Sequence, residues 1–374
     1  MTVLNNQLYP IINELQDNHQ IKADGSVAII MRTKNRAILL ARAINSVLEQ
    51  SYQNWHLYIV NDGGDPKDVE DLVDVYSHNL QQRITIIHNP TSLGMEAASN
   101  CAFQIAHEEF LVVHDDDDSW HPEFLQETVQ FLQLDKSAVA VICNCQVVHE
   151  EINNDTVKEL AIFDWGYWKE FVDINTLIKG NIAPPICLLI RMRAAKLIGG
   201  FNENLPVLGD WDYNLRLFRL GEIKTLNKKL AYYHHRPNAN GTYGNPVIAG
   251  VDKHLKYQTE YCNAMVRQAL LDNQANFGLL HILLQDAEKT KNELIWHIHN
   301  TTSRNQRDDE MYEMVYYFYK KVNPISKFFR KIKEKIRATR KKFLKSRAFA
   351  HWVRDSIRKL RNGHSQNLLN PPKS

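Results

Sequence analysis

The sequence of 374 residues has no apolar run approaching the roughly 20 residues that a membrane span requires. Its first residues, MTVLNNQLYP, carry neither the basic start nor the apolar stretch of a signal peptide. Cysteine is scarce and odd in number (Cys101, Cys143, Cys145, Cys187, Cys262), with no zinc spacing. These absences point to reduced thiols in a cytosolic protein. Cys143 and Cys145 lie two apart on an expected strand and read as small buried hydrophobes. There is no G-x-G-x-x-G and no G-x-x-x-x-G-K-[ST], so neither dinucleotide nor P-loop chemistry is supported. No internal repeat or low-complexity segment stands out.

What is present is a chain with 44% hydrophobic and 24% charged residues, enough for one large core with an appendage. The net charge of +2 hides an asymmetry. Residues 326–361 hold 15 Lys/Arg against two acids, a net +13, which leaves −11 on the rest.

The first 115 residues read β-α-β-α-β-α-β. Val27 to Met31, Leu57 to Val60, Ile84 to Ile87 and Phe110 to Val113 are apolar throughout, as parallel strands covered on both faces are. Between them lie helices from Ala37 to Gln50 (stripe Ile38, Ala41, Ile44, Leu48), from Pro66 behind an Asp65 cap (stripe Val69, Leu72, Val73, Tyr76), and from Met95 to His107. Each helical connection fits a right-handed crossover. Beyond follow a helix opened by Pro122, a strand over Ala138 to Val148, and an irregular aromatic stretch over 150–185. A strand over Ile186 to Ile190, a short helix ending at Gly199-Gly200 and a helix over Gly209 to Leu220 come next. Two strands near 223–226 and 230–233 precede helices over 251–322.

The fourth strand runs straight into Asp115, Asp116, Asp117 and Asp118. Four adjacent carboxylates repel one another, so folding alone would not favour them. A solvated acidic turn is one reading. A site for Mg²⁺ or Mn²⁺ with phosphate co-ligands is the other, and placement at a strand C-terminus favours it.

Five segments in order resemble those of family 2 glycosyltransferases of the GT-A fold: VAIIMRTKNR, AINSVLEQSYQNWHLYIVNDGG, NPTSLGMEAASN, HDDDDSWHPEFL and LIGGFNENLPVLGDWDYNLRL, with AYYHHRP as a weaker sixth. The resemblance covers roughly residues 26–237. It implies an α/β fold with a Rossmann-like mixed sheet flanked by helices, and an inverting transfer from a nucleotide-sugar donor. By the resemblance Asp117 is the main ligand of Mn²⁺ or Mg²⁺, helped by Asp115 and His235, with His234 as the competing histidine. Thr33, Asn35, Arg36, Asp62, Asp115 and Asp116 would bind the nucleotide. Asp62 would accept the base N3–H, which favours UDP or dTDP. Asp210 would be the base that takes the acceptor proton, and Trp211 and Asp212 would meet the acceptor. The plainer roles are turn chemistry for Asp62, a helix cap for Asp210 and a core position for Trp211. Two departures stand out: Gly209 precedes Asp210 where the family has Glu, and Ser99 stands where it often has Arg before Asn100, a phosphate contact that Arg236 could supply.

The tail reads as one helix from Asn323-Pro324 to Gly363. Phe329, Ile336, Phe343, Ala350 and Ile357 recur every seven residues, with Ile332, Thr339, Ser346, Val353 and Leu360 completing the seam. Basic flanks would repel in a self-paired coil. The helix is therefore expected to lie on an anionic membrane through residues 326–361 or to pair with an acidic protein partner. Nucleic acid is not supported, because the body is acidic and has no nucleic-acid motif.

The expected organisation is an extension (1–25), a GT-A domain (26–250, with a nucleotide half 26–118 and an acceptor half 119–250), a helical region (251–322), the basic amphipathic helix (323–363) and a disordered tail (364–374). The expected function is sugar transfer to a saccharide or lipid-linked glycan acceptor, in surface polysaccharide synthesis, at the inner face of the cytoplasmic membrane. The alternatives are a non-catalytic sugar- or partner-binding module and a metal-dependent nucleotidyltransferase. The latter calls for a Gly-rich first loop, and RTKNR has no glycine.

Overall fold

Four apolar runs become four strands, β1 (Val27–Thr33), β2 (Trp55–Asp62), β3 (Ile84–Asn89) and β4 (Phe110–Val113). β1 pairs in parallel with both β2 and β4, and β2 with β3. Residues Val27 to Met31 are fully buried, as a strand covered on both faces requires. The connecting helices are α1 (Ala37–Leu48), α2 (Pro66–Leu80) and α3 (Met95–Ile105). The computed structural model describes residues 21–302 apart from 22, 81, 154, 155, 238, 240, 245–250 and 274. The expected extension, save its last residues, lies outside that range, as do the basic helix 323–363 and the tail 364–374.

The second half adds β5 (Ser119–Trp120), α4 (Phe124–Leu134), β6 (Ala138–Asn153), β7 (Thr156–Asp164), the single turn α5 (Ile174–Leu177), β8 (Leu188–Arg191), α6 (Met192–Ile198), α7 (Gly209–Phe218) and β9 (Glu222–His235). Among the described residues the sheet has nine strands, in the order β3-β2-β1-β4-β8-β6-β9-β5 with β7 on β6. β8 runs antiparallel to β4 and β6, while β6 and β9 are parallel. This is the mixed, helix-flanked α/β sheet that the sequence led us to expect. The chain divides into two compact units at Arg267/Gln268, within α8 (Val251–Asp272). The first unit runs past the expected boundary at 250, with Tyr261 of α8 donating to Asp212 at 2.6 Å. α9 (Ala275–Thr302) belongs to the second.

Several local expectations are corrected. The buried face of α1 is Leu39, Leu40, Ala43, Ile44 and Val47, sharing only Ile44 with the expected stripe. The helix is apolar on more than one row, and the sheet selects the row. α4 begins at Phe124, not Pro122. The Pro122 carbonyl instead accepts the Ser51 N–H at 2.8 Å in a turn. The supposed irregular stretch begins as a hairpin, β6 continuing to Asn153 and β7 returning. β7 pairs with β6 alone and is largely exposed, so it has no core pattern to display. The two short strands after Glu222 are one strand, β9, with register shifts opposite Cys143 to Cys145 that absorb the polar Asn227 to Lys229.

The strand ends at Thr33, Asp62 and Val113 open on the same edge of the sheet, where open α/β sheets take ligands. Asn100 ties this edge to the later chain. Its Oδ1 accepts the Phe201 N–H at 2.8 Å, and its Nδ2 donates to Phe201 O at 2.9 Å and Glu203 Oε1 at 2.7 Å. Gly200 has φ +79°, and a Cβ there would lie 2.7 Å from Asn100 Oδ1. Gly200→Ala is therefore expected to cost about 1–3 kcal/mol, from a left-handed backbone and a displaced clamp, read as a fall in the urea midpoint.

Candidate active site

Four adjacent aspartates receive four different environments. Asp115 is partly exposed and pairs with Arg32. Asp116 is fully buried and accepts from the Thr33 hydroxyl and from Arg36, whose Nε lies 3.1 Å away. Burial pushes the Asp116 carboxyl up, and Arg36 opposes it. Asp117 pairs with Arg236 and, at 3.5 Å, with Arg36. Asp118 is buried, and its Oδ1 accepts the His234 N–H at 2.8 Å. Burial, then the neighbouring Asp117 and Asp115, push its carboxyl well above the ordinary value, while the bond to the His234 N–H braces the turn.

Behind the run sits a residue that sequence reasoning missed. Glu150 is buried and binds Arg42 at 2.5 Å, Arg236 at 2.6 Å and His234 Nδ1 at 2.8 Å. Burial works against its charge, yet these partners hold its carboxyl down at about 2. Glu150 lies in the stretch taken as irregular, so nothing in the pattern marked it. The two histidines now separate. His234 uses both ring nitrogens, Nε2 with Ser119 Oγ at 2.8 Å and Nδ1 with Glu150. Among the described residues the buried Nε2 of His235 has no partner, and burial, followed by His149 and Arg236, lowers its imidazole to a pKa of about 4.

Asp62 departs from its expected role. Its Oδ1 accepts from Asn89 Nδ2 (2.9 Å) and Leu93 N (2.8 Å), its Oδ2 from Ser92 Oγ (2.6 Å) and Gly94 N (3.1 Å). Burial alone would raise its pKa; the four donors lower it below the ordinary value. With every lone-pair position taken, Asp62 latches the loop after β3 rather than presenting an acceptor to a base. Asn35 likewise latches a turn: with φ 53°, it accepts the Asp65 N–H at 3.0 Å through Oδ1.

Asp210, at the start of α7, faces a cavity of 280 Å³ that Arg32, Arg36, Glu96, Asp115, Asp117 and Asn181 also line. Asn181 Nδ2 donates to Asp210 Oδ2 at 2.6 Å, and the Trp211 N–H donates to Oδ1 at 2.8 Å. Burial raises the Asp210 carboxyl against these bonds, with the Asp115 charge adding to the rise and Arg32 opposing it. A base of raised pKa suits proton abstraction. The expected acceptor residues are corrected. Trp211 is 1% exposed and its indole donates to Leu177 O at 2.6 Å, so it is core. Asp212 is buried on Arg216 and Tyr261. Trp165 and Tyr233 line the cavity with their rings 6.0 Å apart; Trp165 comes from the stretch expected to be irregular and Tyr233 from an expected strand.

Residues 28–199 match the family described as Glycosyl transferase family 2. This matched segment, a little under half of the chain, is similar to family 2 glycosyltransferases. The chain is 39% identical over 105 residues to the putative colanic acid biosynthesis glycosyl transferase WcaA of Escherichia coli, covering 28% of this chain and 37% of that one. It is 28% identical over 222 residues to the hyaluronan synthase of Pasteurella multocida, covering 59% and 21%. The match thus spans well under half the length of either relative. Among solved structures, S. aureus TarS 1-349 in complex with UDP-GlcNAc has a TM-score of 0.48 and 17% identity, over 59% of this chain and 61% of that one.

Asp115 and Asp117 line the cavity, and among the described residues the buried Nε2 of His235 has no hydrogen-bond partner. Among the described residues no three His, Cys, Asp or Glu side chains gather into a site made of protein alone.

Breaking the Glu150 hub strands Arg236 and Arg42, so Glu150→Ala is expected to destabilise by about 3–5 kcal/mol in urea unfolding. Asp62→Asn should cost about 1–3 kcal/mol near neutral pH. Because the folded pKa of Asp62 is depressed, its contribution is full above the unfolded value of about 3.9 and is lost as pH falls through the folded one. The gap in melting temperature between wild type and Asp62→Asn should therefore shrink from about pH 6 to about pH 3.

Proposed function

We propose that this protein is an inverting glycosyltransferase that moves a sugar from a nucleotide-sugar donor to a saccharide or lipid-linked glycan acceptor. One observation carries the reading: a single cavity joins the strand-end carboxylates and arginines to Asp210 at a helix start. Asp210 takes the proton from an acceptor hydroxyl as that oxygen attacks the anomeric carbon. The bond to the nucleotide diphosphate breaks on the opposite face, so the configuration inverts. Arg32, Arg36 and Arg236 stand where developing phosphate charge would need cations. Asp117, Asp115 and His235 would hold Mn²⁺ or Mg²⁺, which when bound neutralises the leaving diphosphate.

The preference for uridine or thymidine donors rests on Asp62 alone, and four donors from its own loop occupy that carboxylate. Surface polysaccharide synthesis is the setting, in line with the colanic acid and hyaluronan names of two relatives. No helix among the described residues is long and apolar enough to cross a membrane. Residues 326–361, with their basic charge and apolar seam, would seat the protein on the inner face of an anionic membrane, or on an acidic partner.

The test is a thermal-shift panel of UDP, dTDP, GDP and CMP, each with Mn²⁺ and with EDTA. A metal-dependent rise with one nucleotide, lost in Asp117→Ala, is the expected result. No rise with any nucleotide in a folded protein leaves a non-catalytic binding module instead. Asp210→Asn should lower kcat about 100- to 10,000-fold while the nucleotide-dependent rise remains, measured by release of nucleoside diphosphate.

A further inference from the structure

Gly209, directly before Asp210, has an unusual neighbour. It is helical and not among the positive-φ glycines, so its backbone would accept any side chain. Space is what excludes one. A Cβ on Gly209 would lie 2.2 Å from Glu96 Oε1, 2.4 Å from its Cγ and 2.6 Å from its Cδ. The Glu96 side chain, from the first turn of α3, therefore crosses the face of α7 at the very position where residue 209 would project.

Glu96 is 7% exposed and lines the cavity with Asp210, Asp115 and Arg32. Among the described residues the only hydrogen-bond donor to its carboxylate is its own backbone N–H. Arg32 balances part of its charge, while Asp210 and Asp115 oppose it. A buried carboxylate facing a cavity with acceptor capacity to spare asks for donors from the cavity, and sugar hydroxyls are such donors. Its distance along the chain from Asp210 hid this pairing from sequence reading.

We propose that Glu96 is an acceptor-binding carboxylate: it accepts a hydrogen bond from a second hydroxyl of the sugar acceptor while Asp210 faces the attacking one. Gly209 is glycine so that Glu96 can reach this place, and the acceptor class is a sugar presenting two nearby hydroxyls. The assignment rests on the transferase reading above. Glu96 moves no proton; it selects and orients.

The experiment uses the full chain with UDP-, dTDP- and GDP-sugars against a panel of methyl glycosides, and takes the pair with the highest turnover. Glu96→Gln keeps the shape and loses the charge. It is expected to raise the acceptor KM about tenfold or more, because hydrogen bonds to charged groups are the strong ones, while the donor KM changes less than about twofold. Gly209→Ala should act in the same direction by pushing Glu96 aside. The double variant Glu96→Ala/Gly209→Glu moves the carboxylate onto α7 into the vacated space and should recover acceptor KM relative to Glu96→Ala, a rescue that a packing role would not give. A deoxy acceptor lacking the neighbouring hydroxyl should erase the difference between wild type and Glu96→Gln. Acceptor KM within about twofold of wild type in a folded Glu96→Gln overturns the assignment alone. A wild type that binds no nucleotide and transfers to no acceptor overturns the transferase reading, and the assignment falls with it.

Discussion

Charge compensation at the end of β4 governs this molecule. Four consecutive aspartates leave a buried strand together, and three of them are nearly or wholly buried. Carboxylates in that state need cations or protons, since desolvation costs several kcal/mol per ion. Arg32 and Arg36 come from the end of β1 and the turn after it, and Arg236 from the end of β9. Asp118 has no arginine partner among the described residues, and burial raises its carboxyl. Glu150 then has to balance Arg236 and Arg42, which is why a second buried acid stands behind the first four. The acid run thus sets the composition of a whole layer drawn from distant parts of the chain.

The opposite wall of the cavity obeys the same physics in a quieter form. Asp210 sits at a helix start, where the backbone dipole favours its charge, yet burial and Asp115 oppose it. Asn181 fixes its orientation and is itself held by Asn214 at 2.9 Å. Leu208, just before this helix, has φ 70°, a costly conformation for a branched side chain. Strain and destabilised charge at one position are the marks of a site shaped for a ligand rather than for stability alone. The Glu96–Gly209 contact adds a second acid here without an acid at residue 209 itself.

Much of the first half was legible because one rule governs it. Apolar runs of four or five residues flanked by turn residues form buried parallel strands, and β4 begins and ends where the pattern says. The Asp210 and Asp115–Asp118 segments were legible for a different reason, since each lies at an element boundary where a run of acids has no packing role. Glu150, Asn181, Trp165 and Glu96 were not legible. Each is a single polar or aromatic residue whose meaning depends on a partner far away in sequence. Trp211 misled in the reverse direction: an aromatic beside a base reads as a platform, but its side of α7 faces the core. β7 escaped notice because it pairs on one edge and buries little.

The sequence by itself determined the parallel α/β core, the strand-end acid run, an aspartate at a helix start and the likeness to family 2 glycosyltransferases. These depend on periodicity and on local order, which a chain carries in one dimension. Only the tertiary structure decided which histidine keeps a free nitrogen, that Asp62 latches a loop, which arginine answers which aspartate, and that Glu96 occupies the space of residue 209. Those outcomes depend on which strand lies beside which, and a mixed sheet order of β4-β8-β6-β9 brings together residues more than a hundred positions apart. Electrostatic partners in a buried site are chosen by distance in space, and that distance exists only after the sheet has closed.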